Sequence, residues 1–596
     1  MSLPILKALY FRTRLFFCQL MKISFCISVL TLFATNVFTQ LAHEVPSRID
    51  YINTDFTQSV SSPKRYGIGF KLVNNQYERL RFPLSSIVEF DSNSYSRVVF
   101  NIGSIATQNI GLALGRPVSK TGKLDLVVYR VSNPGWVSRS FYRRTNIELG
   151  YKQKISERFN WETSAGLDLL DREQSGGVKD SIKYDLFERG ESELNLEGNI
   201  WLTNAYNRRN DLFAITHLDY ALISLNNVKL HSGLKLGGVY EKFSFVDNNS
   251  DSAYYSHFSS EIVDVFSDSF SIGQFRITPN LVFEFEQIDS NRIQLELGLN
   301  QSWFRIRNNA HESLPYNQEL YGNVLLERPR IKFSTQAEIY PSGYSRGDSR
   351  IDSKLMYFII KKDSSTNYLA FEARYGYSSG RVARIFEDYR SKIKSIKNGL
   401  RKEQFLEFGG GMNLEVENFS ALVDLDYLKI GNLAYFNERA EVMQKRLPVE
   451  VYSAQLTLKY SNSFLELTTI GRYQWNDRSK YYSLPEWTSI NKGSIYWDMF
   501  KKRLRMKGGL QSRFFSEYYN RGYLPFFDVE YVQSFHRFDD YFQLDAFVET
   551  NIKSVSVGIV AYNLLYGLID TNPIVAPNMP SIPRYFSLRF DWNFKN

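Results

Sequence analysis

The sequence predicts an all-β fold, a transmembrane antiparallel β-barrel of roughly 20–22 strands with long outside loops. Three observations carry that prediction. Segments of about ten residues with apolar/polar alternation recur along the chain. The 596 residues include 45 Phe and 39 Tyr, yet mean hydropathy is −0.32, which suits a greasy exterior around a wet interior. An apolar leader with a basic start opens the chain.

The leader begins at Met21-Lys22, runs through the largely apolar Ile23 to Phe38 and ends at Thr39-Gln40. Residues 1–20, with Lys7, Arg12 and Arg14, read as an extension upstream of an ordinary leader. The expected division is a presequence over 1–39, an N-terminal segment over 40–122 and a barrel over 123–596. The middle segment either stays periplasmic or leads into the barrel. Cys18 and Cys26 both fall in the leader, so the mature chain would hold no cysteine. That excludes a disulfide scaffold and a thiol nucleophile together. Removing the four basic residues of 1–39 leaves 68 basic against 63 acidic residues, too even a balance for a nucleic-acid partner. No mature stretch reaches the roughly 18 apolar residues of a helical span.

The alternation starts near residue 123. Ile147, Leu149 and Tyr151 oppose Asn146, Glu148 and Lys152, and Trp161 to Leu169 repeat the pattern on odd positions. Leu212 to Leu222 follow it loosely on even positions, and Leu230, Leu234 and Leu236 face away from Lys229, His231 and Lys235. Ile293 to Leu299, Ile331 to Ile339, Leu456 to Tyr460 and Phe542 to Val548 continue it. The closing stretch is the cleanest. Phe586, Leu588, Phe590, Trp592 and Phe594 alternate with Tyr585, Ser587, Arg589, Asp591 and Asn593. The aromatic set is assigned to lipid, and Arg589 and Asp591 to the lumen beside the first strands.

Links between strands alternate short and long. Asp363 to Thr366, Glu417-Asn418, Ser461 to Ser463, Lys501-Lys502 and Lys553-Ser554 are short; 171–190, 379–402, 430–447 and 517–540 are long. Short periplasmic turns and long outside loops put the C-terminus on the periplasmic side. Strand parity is least secure over 204–290, where Leu225 to Asn227 and Thr278 to Asn280 both read as turns. A propeller would need a repeat of about 40–50 residues, and none is present.

Two regions resemble a known family. Tyr77-Glu-Arg-Leu-Arg-Phe-Pro-Leu84 with Val99-Phe-Asn-Ile-Gly-Ser104 resembles the opening of the putative-porin family of long outer-membrane barrels of Bacteroidota. Tyr541 to Val548, Val557 to Leu565 and Pro583 to Phe594 resemble that family's last three strands, with Pro573, Pro577, Pro580 and Pro583 fitting its Pro-rich final loop. Lys595 and Asn596 depart from the pattern, since such strands commonly end on the aromatic residue. The resemblance implies an outer-membrane protein and supplies no catalytic residues.

Candidate site residues come from charge and periodicity. Arg503, Arg505, Lys507 and Arg513 share one strand face, and Glu284, Glu286 and Glu296 form an inward acidic group. Opposed clusters across a pore would bias which ions pass. In 379–402, Val382, Ile385, Phe386, Tyr389, Ile393, Ile396 and Leu400 fall at helical spacing. Arg384, Arg390, Lys394 and Lys397 surround them, so a basic helix is expected to constrict the lumen or lie on the anionic outer leaflet. Residues 434–447 read as a second, shorter helix. Gly343-Tyr-Ser345-Arg-Gly347 matches a nucleophile elbow, but that chemistry needs a strand, a sharp turn and then a helix, and here two strands flank it. The six histidines show no metal-ligand spacing, and no cofactor is expected.

Three functions stay open at this stage. The first is a porin-like channel for small hydrophilic solutes. The second is a non-transporting outer-membrane scaffold or a component of a surface or secretion assembly. An outer-membrane enzyme is the least favoured, for want of converging nucleophile and base. A TonB-dependent receptor would need an N-terminal plug of well over a hundred residues and a coupling box, and the sequence offers neither. The expected partners are outer-membrane lipids including lipopolysaccharide, and the barrel-assembly machinery during insertion.

Overall fold

A computed structural model describes residues 94–595 except 104–105, 135–138, 180–198, 226, 249–251, 259–265, 288–290, 310, 362–366, 383, 479, 502–503, 536, 538, 569–573, 577–578 and 581–583. The leader, the Tyr77–Leu84 motif, Arg503 and the prolines 573, 577 and 583 lie outside the described residues. The main sheet has 23 strands; 22 form a closed antiparallel wall, and the three-residue His311–Ser313 only extends the pairing of Asn291–Asn308. Closure joins the first strand, Tyr95–Gly103, to the last, Tyr585–Lys595, from Tyr95↔Lys595 to Gly103↔Ser587. A closed wall leaves no open edge, so its backbone donors and acceptors find partners inside the hydrocarbon layer.

The barrel therefore begins at Tyr95, and the expected boundary at 123 falls inside it. Strands Tyr95–Gly103 and Gln108–Pro117 already belong to the wall, although their alternation is short and irregular. Links at one end are tight: 157–158 follows Tyr142–Ser156, 329–330 follows Tyr316–Arg328, and 417–418 and 553–554 are two-residue turns. The other end carries 175–204, 381–402, 432–448 and 516–540. Both Tyr95 and Lys595 sit at the tight end, which is the periplasmic one. Leu225 and Val228 flank a tight turn. Thr278 to Asn280 do not make one. Strand Phe266–Gln287 runs straight through Pro279, and its pairing to Asn291–Asn308 lapses between Ile277↔Gln301 and Asn280↔Gly298 before resuming in the same register. Proline has no N–H to give that ladder.

Inside and outside follow the two-residue period. On Tyr585–Lys595, Phe586, Leu588 and Trp592 are exposed to the lipid side while Tyr585 and Ser587 are buried inward. Arg97 of the first strand donates from Nε and Nη2 to Asp591 at 3.0 and 2.6 Å, across the closing seam. Near the outer rim the period keeps its phase, but its chemistry inverts. On Phe266–Gln287, Phe275, Leu281, Phe283 and Phe285 face lipid below, whereas Phe266, Phe270 and Ile272 are buried inward above. Asn291–Asn308 changes at Trp303, with Phe304 and Ile306 inward and Arg305 and Arg307 outward. Val228–Asp247 changes at Tyr240, with Phe243 and Phe245 inward. Cross-strand pairing sets Phe275 beside Trp303, where the rings stack at 5.9 Å, and Tyr240 opposite Gly273, two residues higher on the Phe275 strand. They mark the outer limit of the hydrocarbon layer.

The two expected loop helices are corrected. Within 379–402 only Arg384–Glu387 makes a helical turn; Asp388–Arg390 and Ser395–Lys397 then form a hairpin. The Ser391 hydroxyl accepts from the Ile393 N–H at 3.1 Å, a local turn that competes with helical bonding. Leu433–Phe436 and Val442–Lys445 are likewise a hairpin, turned by Asn437, whose Oδ1 accepts from the N–H groups of Arg439 and Glu441. In 381–402 Ile385, Tyr389, Ile393 and Ile396 gather in one buried cluster, and in 432–448 Ala434 and Phe436 are buried on one face of the hairpin.

Candidate functional site

The lumen wall is built from polar side chains that are largely matched to one another. Glu296 accepts from Asn280, Tyr321 and Asn323 at 2.8–3.0 Å and lies 3.8 Å from the Lys235 ammonium. Arg374 reaches Glu372, Asp424 and Asp426 at 3.2, 3.1 and 2.9 Å. Arg144 pairs with Asp168 at 2.6 Å. Strand side chains that left such charges unmatched beside a hydrocarbon layer would be costly, and pairing along the wall keeps them solvated or satisfied.

Strands Phe266–Gln287 and Leu504–Phe515 stand half the circumference apart in the wall. Glu284 and Lys507 are both three residues from the tight-turn ends of those strands, so they oppose each other across the periplasmic half. Neither is a bare charge. Glu284 accepts from Arg292 at 2.7 Å, and Lys507 donates to Glu466 at 2.7 Å. Tyr496 also donates to Glu466, and Arg505 lies over the Tyr496 ring at 4.9 Å while donating to the Ser463 carbonyl. Arg513 lies on the same inward face as Lys507, higher on the strand. Glu286 belongs to the strand end paired with Arg292, and Arg503 lies outside the described residues.

The outer mouth has a different chemistry. The inward Phe243, Phe245, Phe266, Phe270, Ile272, Phe304 and Ile306 form one buried cluster with Ile385, Tyr389, Ile393 and Ile396 of loop 381–402 and with Leu524, Phe526 and Phe527 of loop 516–540. Tyr389 stacks on Phe270 at 5.8 Å and meets Phe527 edge-on at 5.1 Å. Burying side chains of this size stabilises by about 1.5–3 kcal/mol each, so these loops are held against the lumen wall. Loops 432–448 and 516–540 also share a four-stranded sheet.

Polar anchors fix the same docking. Arg172, inward on Phe159–Gln174, donates to Asp528 at 3.1 Å, and both side chains are nearly buried. Tyr523 also donates to Asp528, and Asn207 donates to the Pro525 carbonyl at 3.0 Å. Loop 381–402 is tied by Asn309, which donates to Asp268 at 2.8 Å and to the Arg390 carbonyl at 2.7 Å.

The loop candidates occupy this region unevenly. Arg384 opens the helical turn, while the Arg390 and Lys397 side chains are exposed. Lys394 donates to the Arg439 carbonyl at 3.0 Å and lies 3.7 Å from Glu441. Asn437, and then Lys394, hold that carboxyl below its ordinary range. Ser345 is buried in the turn after Ile331–Gly343, bonded to Asn317 through both its hydroxyl and its N–H, and no helix follows it. The anchors Arg172, Asn207 and Asp528 escaped sequence reading. Their one visible signal was Pro525-Phe526-Phe527, an apolar run inside a polar link.

Among solved structures, the chain is similar to the ferric-catecholate import receptor Fiu of E. coli (TM-score 0.58, 10% identity, 85% of this chain and 82% of that one). It is also similar to the siderophore receptor PirA of Acinetobacter baumannii (TM-score 0.60, 9% identity, 85% and 81%). The copper transporter OprC gives TM-score 0.59 at 10% identity over 84% and 80%. Identities this low show the barrel fold alone. A search of the curated proteins finds no match. The sequence profile of the family described as putative porin matches residues 156–596. A closed 22-strand wall, a polar lumen and that match over most of the chain identify an outer-membrane transport barrel, and the chain belongs to the putative-porin family.

Proposed function

We propose that this barrel is a channel for small hydrophilic solutes, narrowed at its outer mouth by the docked loops 381–402 and 516–540. The observation that carries this reading is the contrast within the lumen. Its wall is polar and ion-paired from the periplasmic turns upward, suited to water and dissolved solutes, and gives way to one large aromatic cluster where the loops seat. The test is single-channel recording in planar bilayers. Wild type should conduct, and Tyr389→Ala with Phe527→Ala should raise conductance as the loops lift. Folded protein that stays silent in both forms would sink the channel reading. It would favour the second one, a non-transporting scaffold, which draws its support from the shared core and sheet of the outer loops.

A further inference from the structure

The lipid-facing wall carries a feature that conduction does not use. At the ring of Tyr240, Phe275 and Trp303, an apolar trough of about 890 Å³ crosses the outside of the strands between Tyr142–Ser156 and Asn291–Asn308. Its floor is a line of small residues at successive strand positions: Ala165 pairs with Ala214, Ala214 with Gly238, and Gly273 adjoins them two residues above. Large side chains wall it, among them Leu149, Leu212, Phe275 and Trp303. Toward the periplasmic side the lipid face of the neighbouring strands carries large side chains, among them Leu281, Phe283, Phe285, Ile293 and Leu297.

Packing does not demand this smallness. A Cβ added at Gly238 would come no closer than 3.9 Å to another atom, and one at Gly273 likewise. Both glycines are free of the left-handed backbone that would require them. The space is open to the membrane side, so whatever fills it comes from outside the barrel.

Charge at the outer end says what that is. At the outer end of the trough, Arg305, which helps line it, and Arg307 both face outward and share the single carboxylate of Glu312, at 2.6 and 3.1 Å. Arg143 and Arg208 share Asp171 in the same way, at 2.6 and 2.7 Å. Each trio keeps one net positive charge at headgroup height, with guanidinium donors left to offer an anion. Arginine binds phosphate through paired, charge-assisted hydrogen bonds. An apolar trough with Arg305 in its lining and Arg307 next on the same face fits an acyl chain joined to a phosphate. We propose that it is a binding site for a phosphorylated, acylated glycolipid of the outer leaflet, one chain in the trough and a phosphate on Arg305 and Arg307.

The test uses the full-length barrel, purified in mild detergent and checked for folding by its heat-modifiable mobility. Native mass spectrometry reads retained lipid after addition of lipid A or its dephosphorylated form. Wild type should hold about one lipid A, and Ala214→Phe with Gly238→Leu should lower retention at least about fivefold by filling the trough. Arg305→Gln with Arg307→Gln, and removal of the phosphates from the lipid, should each weaken retention. Ile559→Phe, on the lipid face of a distant strand, should change nothing. Equal retention in all variants, or indifference to the phosphates, overturns the proposal. A wild-type dimer that the trough-filling variant turns monomeric also overturns it, since the trough would then be an interface between copies. If the trough variant does not fold, wild type with the two lipids and the arginine variant still decide.

Discussion

Strands Val228–Asp247, Phe266–Gln287 and Asn291–Asn308 each live in two environments, and their two halves invite comparison. Below Tyr240, Phe275 and Trp303 the outward face is apolar and the inward face carries Lys235, Glu284, Glu296 and their partners. Above that ring the outward face holds Arg305 and Arg307, and the inward face holds Phe243, Phe270 and Phe304. The backbone and the side-chain period are the same throughout. What changes is the solvent. Lipid outside and water inside select one pattern, whereas water outside and a docked loop inside select its inverse. A polar inward face leaves a lumen, and an apolar one recruits loops to close it.

The contrast is broken most severely at the anchor of the upper half. Arg172→Leu leaves the Asp528 carboxylate in a nearly buried place without that guanidinium, at a cost of about 3–5 kcal/mol. The wall should persist, because its ladder does not depend on the loop. Loop 516–540 should open, and limited proteolysis there should accelerate on the order of a hundredfold. Adding Asp528→Asn should recover part of the loss. Unchanged cleavage in Arg172→Leu would show that the aromatic cluster alone seats the loop.

A smaller effect is expected at the seam of the lower half. Arg97→Ala removes two charge-assisted hydrogen bonds to Asp591, worth about 1.5–3 kcal/mol where first and last strands meet. The heat needed to shift the folded band in gel electrophoresis should fall, and exchanging the pair (Arg97→Asp with Asp591→Arg) should restore it. No change would mean that the nine backbone pairings from Tyr95↔Lys595 to Gly103↔Ser587 carry the closure unaided.

The same comparison explains what the sequence disclosed. The lower halves obey one rule, so strand existence and the short turns were legible from alternation alone; of the five aromatic and apolar residues assigned to lipid on the last strand, Phe586, Leu588 and Trp592 are exposed, and Phe590 and Phe594 half-buried. The upper halves obey the inverse rule. Alternation such as Phe243-Ser-Phe245 or Phe270-Ser-Ile272 does not say which face looks inward, and the parity over 204–290 was further confused by Thr278 to Asn280, a turn signal inside a continuous strand. The loops failed differently. Ile385, Tyr389, Ile393 and Ile396 do share one side, but periodicity cannot distinguish a helix from a hairpin folded onto a wall whose contacts lie 81 to 124 residues earlier in the chain. The pairing of Arg172 with Asp528 spans 356 positions and leaves no local trace.

The smallest effect tests the charges that sequence reading put first. A stripe of Arg505, Lys507 and Arg513 facing Glu284 and Glu296 would set up a transverse field if those groups stood alone. The wall pairs them first: Lys507 with Glu466, Glu284 with Arg292, Glu296 with three donors and Lys235 nearby. A matched pair presents the lumen with a dipole, and ions beyond a Debye length of roughly 8 Å sense little of it. Lys507→Gln should therefore alter the cation/anion permeability ratio by less than about twofold, in the cation-favouring direction, as Glu466 loses its counter-charge. Reversal potentials in a salt gradient measure it. A large swing toward cations would mean that Lys507 acts on passing ions directly, and that the lower lumen is a selectivity filter despite its pairing.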